Sequence, residues 1–204
     1  MSESQVSTRT GSFEMIPGAH ADPWGFDASA YEATRHDSTL AALPRARYRT
    51  GCEVGCSIGM LTQRLAQRCN RLLAVDVASE VLDRARSRCR DLPQVRFALM
   101  EAPDELPDAQ FDLIVLSDVG FSWSVDALAL VRCALTERLV PGGHLLLVHW
   151  TPRKPRSAHA CAQVHDAFLQ DSGPQGPLSH LTDRREETYR LDLFERRSAM
   201  ARMF

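Results

Sequence analysis

An acid, two glycines and a second acid are spaced in this chain as if to surround a nucleoside. Glu53-Val-Gly-Cys-Ser-Ile-Gly59 sets Gly55 and Gly59 on either side of Cys56, Ser57 and Ile58. Glycine lets a backbone bend sharply and approach a ligand with no Cβ between them. Asp76 closes the next apolar run, 21 residues beyond Gly55, where a nucleotide-binding α/β fold places a carboxylate for ribose hydroxyls. A dinucleotide fingerprint needs glycines two and then three apart, whereas Gly51, Gly55 and Gly59 are each four apart, so pyrophosphate is disfavoured. The plainer alternative is that the two glycines only close a tight strand-to-helix turn.

These groups need a scaffold, and the alternation from Tyr48 onward supplies one. The pattern predicts strands near 49–54, 71–77, 95–100, 111–117 and 144–150, with helices near 59–69, 79–90 (Ser79 as cap) and 124–140. Leu72-Leu-Ala-Val75, Leu113-Ile-Val-Leu116 and Leu145-Leu-Leu-Val148 are continuous apolar runs, as parallel strands covered by helices on both faces require. Pro141-Gly-Gly143 is read as the end of the long helix and the turn into the fifth strand. Beyond Trp150 a basic loop, a helix over 157–170 and two final strands within 178–197 are expected, with residues 187–194 alternating as an edge strand. The expectation is an α/β fold: a Rossmann-like doubly wound sheet of seven strands, mostly parallel, with the last antiparallel. Ligands collect beyond the carboxyl ends of such strands. Those ends carry Glu53 and its loop, Asp76 with Val77, Glu101, Ser117 with Asp118, and His149 with Trp150.

Residues 1–21 lack hydrophobic periodicity and are read as a disordered tail, with 22–204 as a single domain. Ser29 can cap a helix to about Leu43, on which Tyr31, Thr34, Arg35 and Leu40 are candidates for a face over the loop. Trp24, Phe26 and Tyr31 pack this cap helix down, contact the ligand, or do both. Lysine and arginine number 24 against 26 aspartate and glutamate, so the balance gives no electrostatic reason to expect nucleic acid. No apolar run is long enough to span a bilayer and no basic-then-apolar leader is seen, which points to a cytoplasmic protein. Six cysteines are thinly spread with no C-x-x-C pair, as reduced, packed thiols would be. Cys69, Cys89, Cys133 and Cys161 fall in predicted helices and Cys52 in a buried strand. His159 and His165 are six apart and no metal site is expected.

Glu53-x-Gly55-x-Ser57-x-Gly59 resembles the first motif of class I S-adenosylmethionine methyltransferases, E/D-x-G-x-G-x-G, with serine at the middle glycine. With Asp22-Pro-Trp24, Phe111-Asp-Leu-Ile-Val115 and Pro141-Gly-Gly-His-Leu145, the chain is similar to the NodS group of small bacterial N-methyltransferases. Their acceptor is the free amine of a deacetylated chitooligosaccharide. The resemblance implies S-adenosyl-L-methionine as cofactor, a cationic ligand suited to a loop flanked by acids, and S-adenosyl-L-homocysteine as product. It implies that Asp76 takes the ribose hydroxyls, Glu101 faces the adenine amine, and Gly55 and Ser57 border the methionine part. Glu53, Cys56, Gly59, Val77, Ser117 and Tyr31 complete the expected cofactor set. Glu101 could equally be a solvated loop acid.

Methyl transfer asks mainly that two reactants be held close and in line. Asp118 and His149 are the candidate bases if the acceptor arrives protonated; the alternatives are a hydrogen-bonded His149 at a strand end and an acceptor-binding or loop-capping Asp118. Gly120-Phe-Ser-Trp123 stands where relatives often carry paired tyrosines after the fourth strand, a departure that alters the wall expected to face the acceptor, here termed the acceptor wall. The expected partner is a small molecule met by a monomer or homodimer, with neither nucleic acid nor membrane. O-methylation of a small metabolite, an aminopropyltransferase, and a non-catalytic S-adenosylmethionine-binding protein remain as alternatives. A nucleic-acid amino-methyltransferase would need two prolines that Ser117-Asp-Val-Gly-Phe121 lacks.

Overall fold

The computed structural model describes the backbone of residues 30–151 and 155–198, and side chains over 32–151 and 161–198. The expected tail, Asp22-Pro-Trp24, Phe26, Ser29 and the Tyr31 side chain lie outside it. Seven strands form one sheet: β1 (Gly51–Val54), β2 (Leu72–Asp76), β3 (Val95–Leu99), β4 (Phe111–Ser117), β5 (Leu139–Trp150), β6 (Leu178–Arg185) and β7 (Tyr189–Arg196). Their order is β3-β2-β1-β4-β5-β7-β6. Strands β1 to β5 are parallel, and β7 runs antiparallel to both its neighbours. Among the described residues the α-helices are α1 (Ala30–Ala42), α2 (Met60–Leu65), α3 (Ser79–Arg88), α4 (Val125–Arg138) and α5 (Pro155–Leu169), the last followed by a short 3-10 turn at Gln170–Ser172.

The apolar runs are explained by burial on both faces. Along β4 and β5, Ile114, Leu116, Leu145 and Leu147 join Leu128, Leu135 and Phe168 of α4 and α5 in one cluster. Their neighbours Leu113, Val115, Leu146 and Val148 join Leu61 and Leu65 of α2 in the other. Because strand order reverses direction between β1 and β4, a crevice opens at their carboxyl ends, the point at which such sheets bind ligands.

Several local expectations are corrected. Pro141-Gly-Gly143 lies inside β5, where the register with β4 slips and Gly142 takes φ +75°; α4 has already ended at Arg138. Helix α2 stops at Leu65, so Cys69 sits beyond it, bridged to Tyr48. Ala78, not Ser79, occupies the cap position of α3, and Cys89 is just past its end. Strand β7 is internal and β6 is the edge, because β7 inserts antiparallel beside β5. Five cysteines are buried but Cys133 is exposed, having fallen on the outer side of α4.

Candidate active site

The crevice begins with a loop wound tightly enough to demand left-handed backbone at three of five positions: Gly55 (φ 86°), Ser57 (φ 46°) and Gly59 (φ 81°). A Cβ on Gly55 would overlap the Ser117 carbonyl oxygen and Val119. The glycine therefore permits the close contact between this loop and the end of β4. At Gly59 a Cβ would meet Ala85 at 3.0 Å, so this glycine seats α2 against α3. The carbonyl of Val75 accepts from the Gly55 and Cys56 amides, tying the loop to β2.

Asp76 completes that tie. Its Oδ2 accepts from the Ser57 amide at 2.8 Å and its Oδ1 from Ala78 at 3.2 Å. Each carboxylate oxygen retains acceptor capacity after one such bond. Glu53 points from β1 toward α2, where Thr62 Oγ1 donates to its Oε2 at 2.5 Å. Its Oε1 is buried with no partner among the described residues. Burial first, with the charge of Asp76 adding to it against the Thr62 bond, lifts this carboxyl to about 8. Burial and the same two acids push the Cys56 thiol far above its ordinary range, so its sulfur is neutral.

On the β3 side, Val77 and Leu99 are both more than half exposed at the strand ends. Glu101 beyond them is exposed too, its amide donating to Glu105 at 3.3 Å. Ser117 is buried and borders the loop through its carbonyl.

Asp118 takes the left-handed conformation at φ 50° and is bound on both sides. Arg35 of α1 donates to its Oδ2 at 2.6 Å, and the Trp150 amide to its Oδ1 at 2.6 Å. Arg35 is buried and also grips Glu32 at 2.7 Å. Burial opposes the charge of Arg35, but Asp118 and Glu32 more than offset it and its pKa rises. Asp118 thus clamps α1 over the strand ends across 83 residues.

His149 departs from the expected base. Its side chain is fully buried, donating from Nε2 to the Val119 carbonyl at 2.9 Å, with Nδ1 2.9 Å from His165 Nε2. Both nitrogens are engaged, which leaves neither for a substrate proton. The reason is strand alternation: Trp150 turns outward at 49% exposure, so His149 turns into the α5 face. This histidine leads to His165, which the sequence presented only as an unsuitable metal ligand, and to Asp192, which it did not single out. A lone aspartate among Leu191, Leu193 and Phe194 was the available signal, because a charge within an alternating apolar strand must find a partner.

Between α1 and the turn joining β6 to β7 lies a cavity of about 330 Å³, bordered by Thr34, Arg35, Ser38 and residues 186–189. No group of described residues could hold a metal ion, and no helix among them is long and apolar enough to cross a membrane.

Comparison with known proteins gives a consistent picture. The family profile described as Nodulation protein S (NodS) matches residues 17–145. Nodulation protein S of Rhizobium tropici is 33% identical over 129 residues, covering 61% of this chain and 53% of that protein. Its counterpart from Sinorhizobium fredii is 32% identical over 132 residues, covering 63% and 60%. The matched stretch thus covers less than two thirds of either relative. A crystal structure of a putative methyltransferase from Pseudomonas syringae is 33% identical, with TM-score 0.70, covering 81% of this chain and 99% of that one. The N-methyltransferase NodS from Bradyrhizobium japonicum, solved with S-adenosyl-L-homocysteine, has TM-score 0.76 at 22% identity over 88% of this chain and 94% of its own, and so shares the fold.

Proposed function

Because the chain belongs to the nodulation protein S family, we propose that it is an S-adenosyl-L-methionine-dependent methyltransferase. Its acceptor on this reading is the amine of a small molecule such as a deacetylated amino sugar, and its second product is S-adenosyl-L-homocysteine. The observation that carries the reading is the acid pair around the β1–α2 loop. Glu53 Oε1 is buried without a donor, and Asp76 keeps acceptor capacity at the crevice. A cationic ligand with hydroxyls satisfies both groups, and a phosphate satisfies neither.

S-Adenosylmethionine, when bound, supplies a methyl group on a sulfonium that leaves readily. The chain's own residues have to bind, orient and exclude water. Asp76 accepts the ribose hydroxyls, and Glu53 offers its unmatched oxygen to the positive amino-acid end. Gly55, Cys56, Ser57, Gly59 and Ser117 line that end through backbone. Val77 and Glu101 border the adenine, and Tyr31 is assigned to the cofactor set by the resemblance alone. Asp118 holds the acceptor wall through Arg35 and Trp150 rather than taking a proton. A free amine already carries the electron pair it needs, so alignment rather than base catalysis is what this site provides. The acceptor reaches it through the cavity beneath α1, whose volume suits a small molecule.

The test is calorimetric titration with S-adenosyl-L-homocysteine, followed by labelled methyl transfer to glucosamine oligomers and to panels of small amines, phenols and carboxylates. Transfer to amines is expected. Transfer to phenols or carboxylates alone would replace N- with O-methylation, and binding without turnover on any acceptor would overturn catalysis.

A further inference from the structure

Beneath the loop that follows β4 runs an unbroken line of buried polar groups that the proposed transfer does not use. From Val119 O the line passes to His149 Nε2 (2.9 Å), from His149 Nδ1 to His165 Nε2 (2.9 Å), and from His165 Nδ1 to Asp192 Oδ2 (2.6 Å). His149, His165 and Asp192 are all fully buried. Both ends of the line are acceptors. A peptide carbonyl has no hydrogen to give, and Asp192 is already a carboxylate receiving from Arg190 Nε at 2.8 Å and His180 Nε2 at 2.6 Å. Three contacts therefore need three ring hydrogens, while two neutral imidazoles carry two.

We propose that His149, His165 and Asp192 are a positioning relay that holds one hydrogen more than its neutral rings, and that this hydrogen fastens the acceptor wall to the sheet. The wall is the segment from Val119 to Trp123. Val119 is bonded directly, the Phe121 ring meets His149 edge-on at 5.3 Å, and Gly120 lies against Trp123 and Val164 of α5.

Of the two rings, His165 is the one placed to carry the extra hydrogen, with Nδ1 2.6 Å from the Asp192 carboxylate. Burial draws both rings toward the neutral form, and His149 furthest, with His165 as the second cause. The bond count opposes this for the pair, and the charge is least costly beside Asp192. Although burial works against it, the His165 bond and charge, then Arg190 and His180, hold Asp192 below the usual carboxylate range. The other ionisable groups facing the relay are Arg190 on β7, paired with Asp166 of α5 at 3.2 Å, His180 on β6, Cys161 on α5, and Arg35 and Asp118 at the rim. When the extra hydrogen leaves, the two remaining ones stay on His165 Nδ1, facing the charged carboxylate, and in the His149–His165 contact. His149 Nε2 then faces Val119 O lone pair to lone pair, and the loop is released.

The role in acceptor turnover rests on the methyl-transfer reading, whereas the hydrogen count does not, so the two can fail separately. Nitrogen-15 NMR of the imidazoles is expected to find three ring hydrogens on His149 and His165 near neutral pH and two at higher pH. Two throughout pH 5–9 would overturn the relay. Hydrogen exchange should show at least tenfold lower protection over 118–123 in His149→Ala, and the same loss in the unsubstituted protein above the titration. Unchanged protection in both would overturn the fastening. Asp192→Asn turns the accepting end into a donor, so two neutral rings then suffice. In this variant the pH dependence of acceptor KM should vanish, while S-adenosyl-L-homocysteine affinity is kept. A pH profile of acceptor KM identical to that of the unsubstituted enzyme would overturn the assignment.

Discussion

Glu53 should make the protein lose stability as pH rises through neutrality, and the ligand should remove the cause. Burial chiefly, and then Asp76, lift its carboxyl from 4.5 to about 8 in the fold. The unfolded chain ionises this group near its ordinary value. Between roughly pH 4.5 and 8 the native state therefore holds a proton that the unfolded state has released, and stability falls with each step upward in pH. The whole interval corresponds to at most about 5 kcal/mol at about 1.36 kcal/mol per tenfold change. Relaxation around a buried charge reduces the expected loss to about 2–4 kcal/mol. For a chain of this length each kcal/mol moves Tm by about 2–4 °C, so Glu53 should account for a fall of about 5–15 °C between pH 5 and pH 9. Glu53→Gln keeps the shape and never ionises, so its Tm should lack this component and exceed the original at pH 9. The same proton reports on binding. At pH 7 a group titrating near 8 is about nine-tenths protonated, and a positive amino-acid end placed beside it should release about 0.5–0.9 proton. Calorimetry with S-adenosyl-L-homocysteine in buffers of different ionisation enthalpy measures that release, and Glu53→Gln should show none. Equal Tm profiles in both proteins, together with a binding heat independent of buffer, would refute the argument.

Asp76→Ala should weaken S-adenosyl-L-homocysteine by about 1–3 kcal/mol, through loss of charged hydrogen bonds to the ribose and slackening of the Ser57 turn; calorimetry on the folded variant measures it. Asp118→Asn retains a residue that tolerates positive φ and an acceptor for the Trp150 amide, but loses the charge and the hydrogen-bond acceptor facing Arg35, where an amide N–H now meets the guanidinium. With Asp118 about a third exposed and Glu32 still holding Arg35, thermal melts should show a loss of about 1–2 kcal/mol. Acceptor KM should rise while cofactor affinity changes little. Gly55→Ala puts a Cβ into Ser117 and Val119 at positive φ, and should cost about 3 kcal/mol or more in denaturant unfolding. Of the six cysteines, Cys133 should be the one titrated quickly by a disulfide reagent in native protein. Burial lifts Cys69 to about 12 and Cys161 to about 11 and keeps both out of reach.

How much of this was legible in the chain differs from residue to residue. The loop around Gly55 and the carboxylate at Asp76 were readable because a parallel strand, its turn and the following helix leave their marks within a few residues of one another. Arg35 and Asp118 could each be named as candidates, but their pairing spans 83 residues, and no local pattern encodes a partner at that distance. That Gly55 turns the chain sharply was readable, but its close approach to the Ser117 carbonyl was not, since that atom belongs to β4.

Periodicity and turn chemistry act over one or two turns of chain, so they determined by themselves which segments are strands, that both sheet faces are covered, and where the acids end their strands. Which way the side chain at a strand end faces, and what meets it there, was decided by packing. Trp150 went outward and His149 inward, to a histidine on α5 and an aspartate on a strand that inserts beside β5. A buried polar group has to be satisfied by whatever the assembled fold brings near, and that neighbour exists only once the sheet has closed.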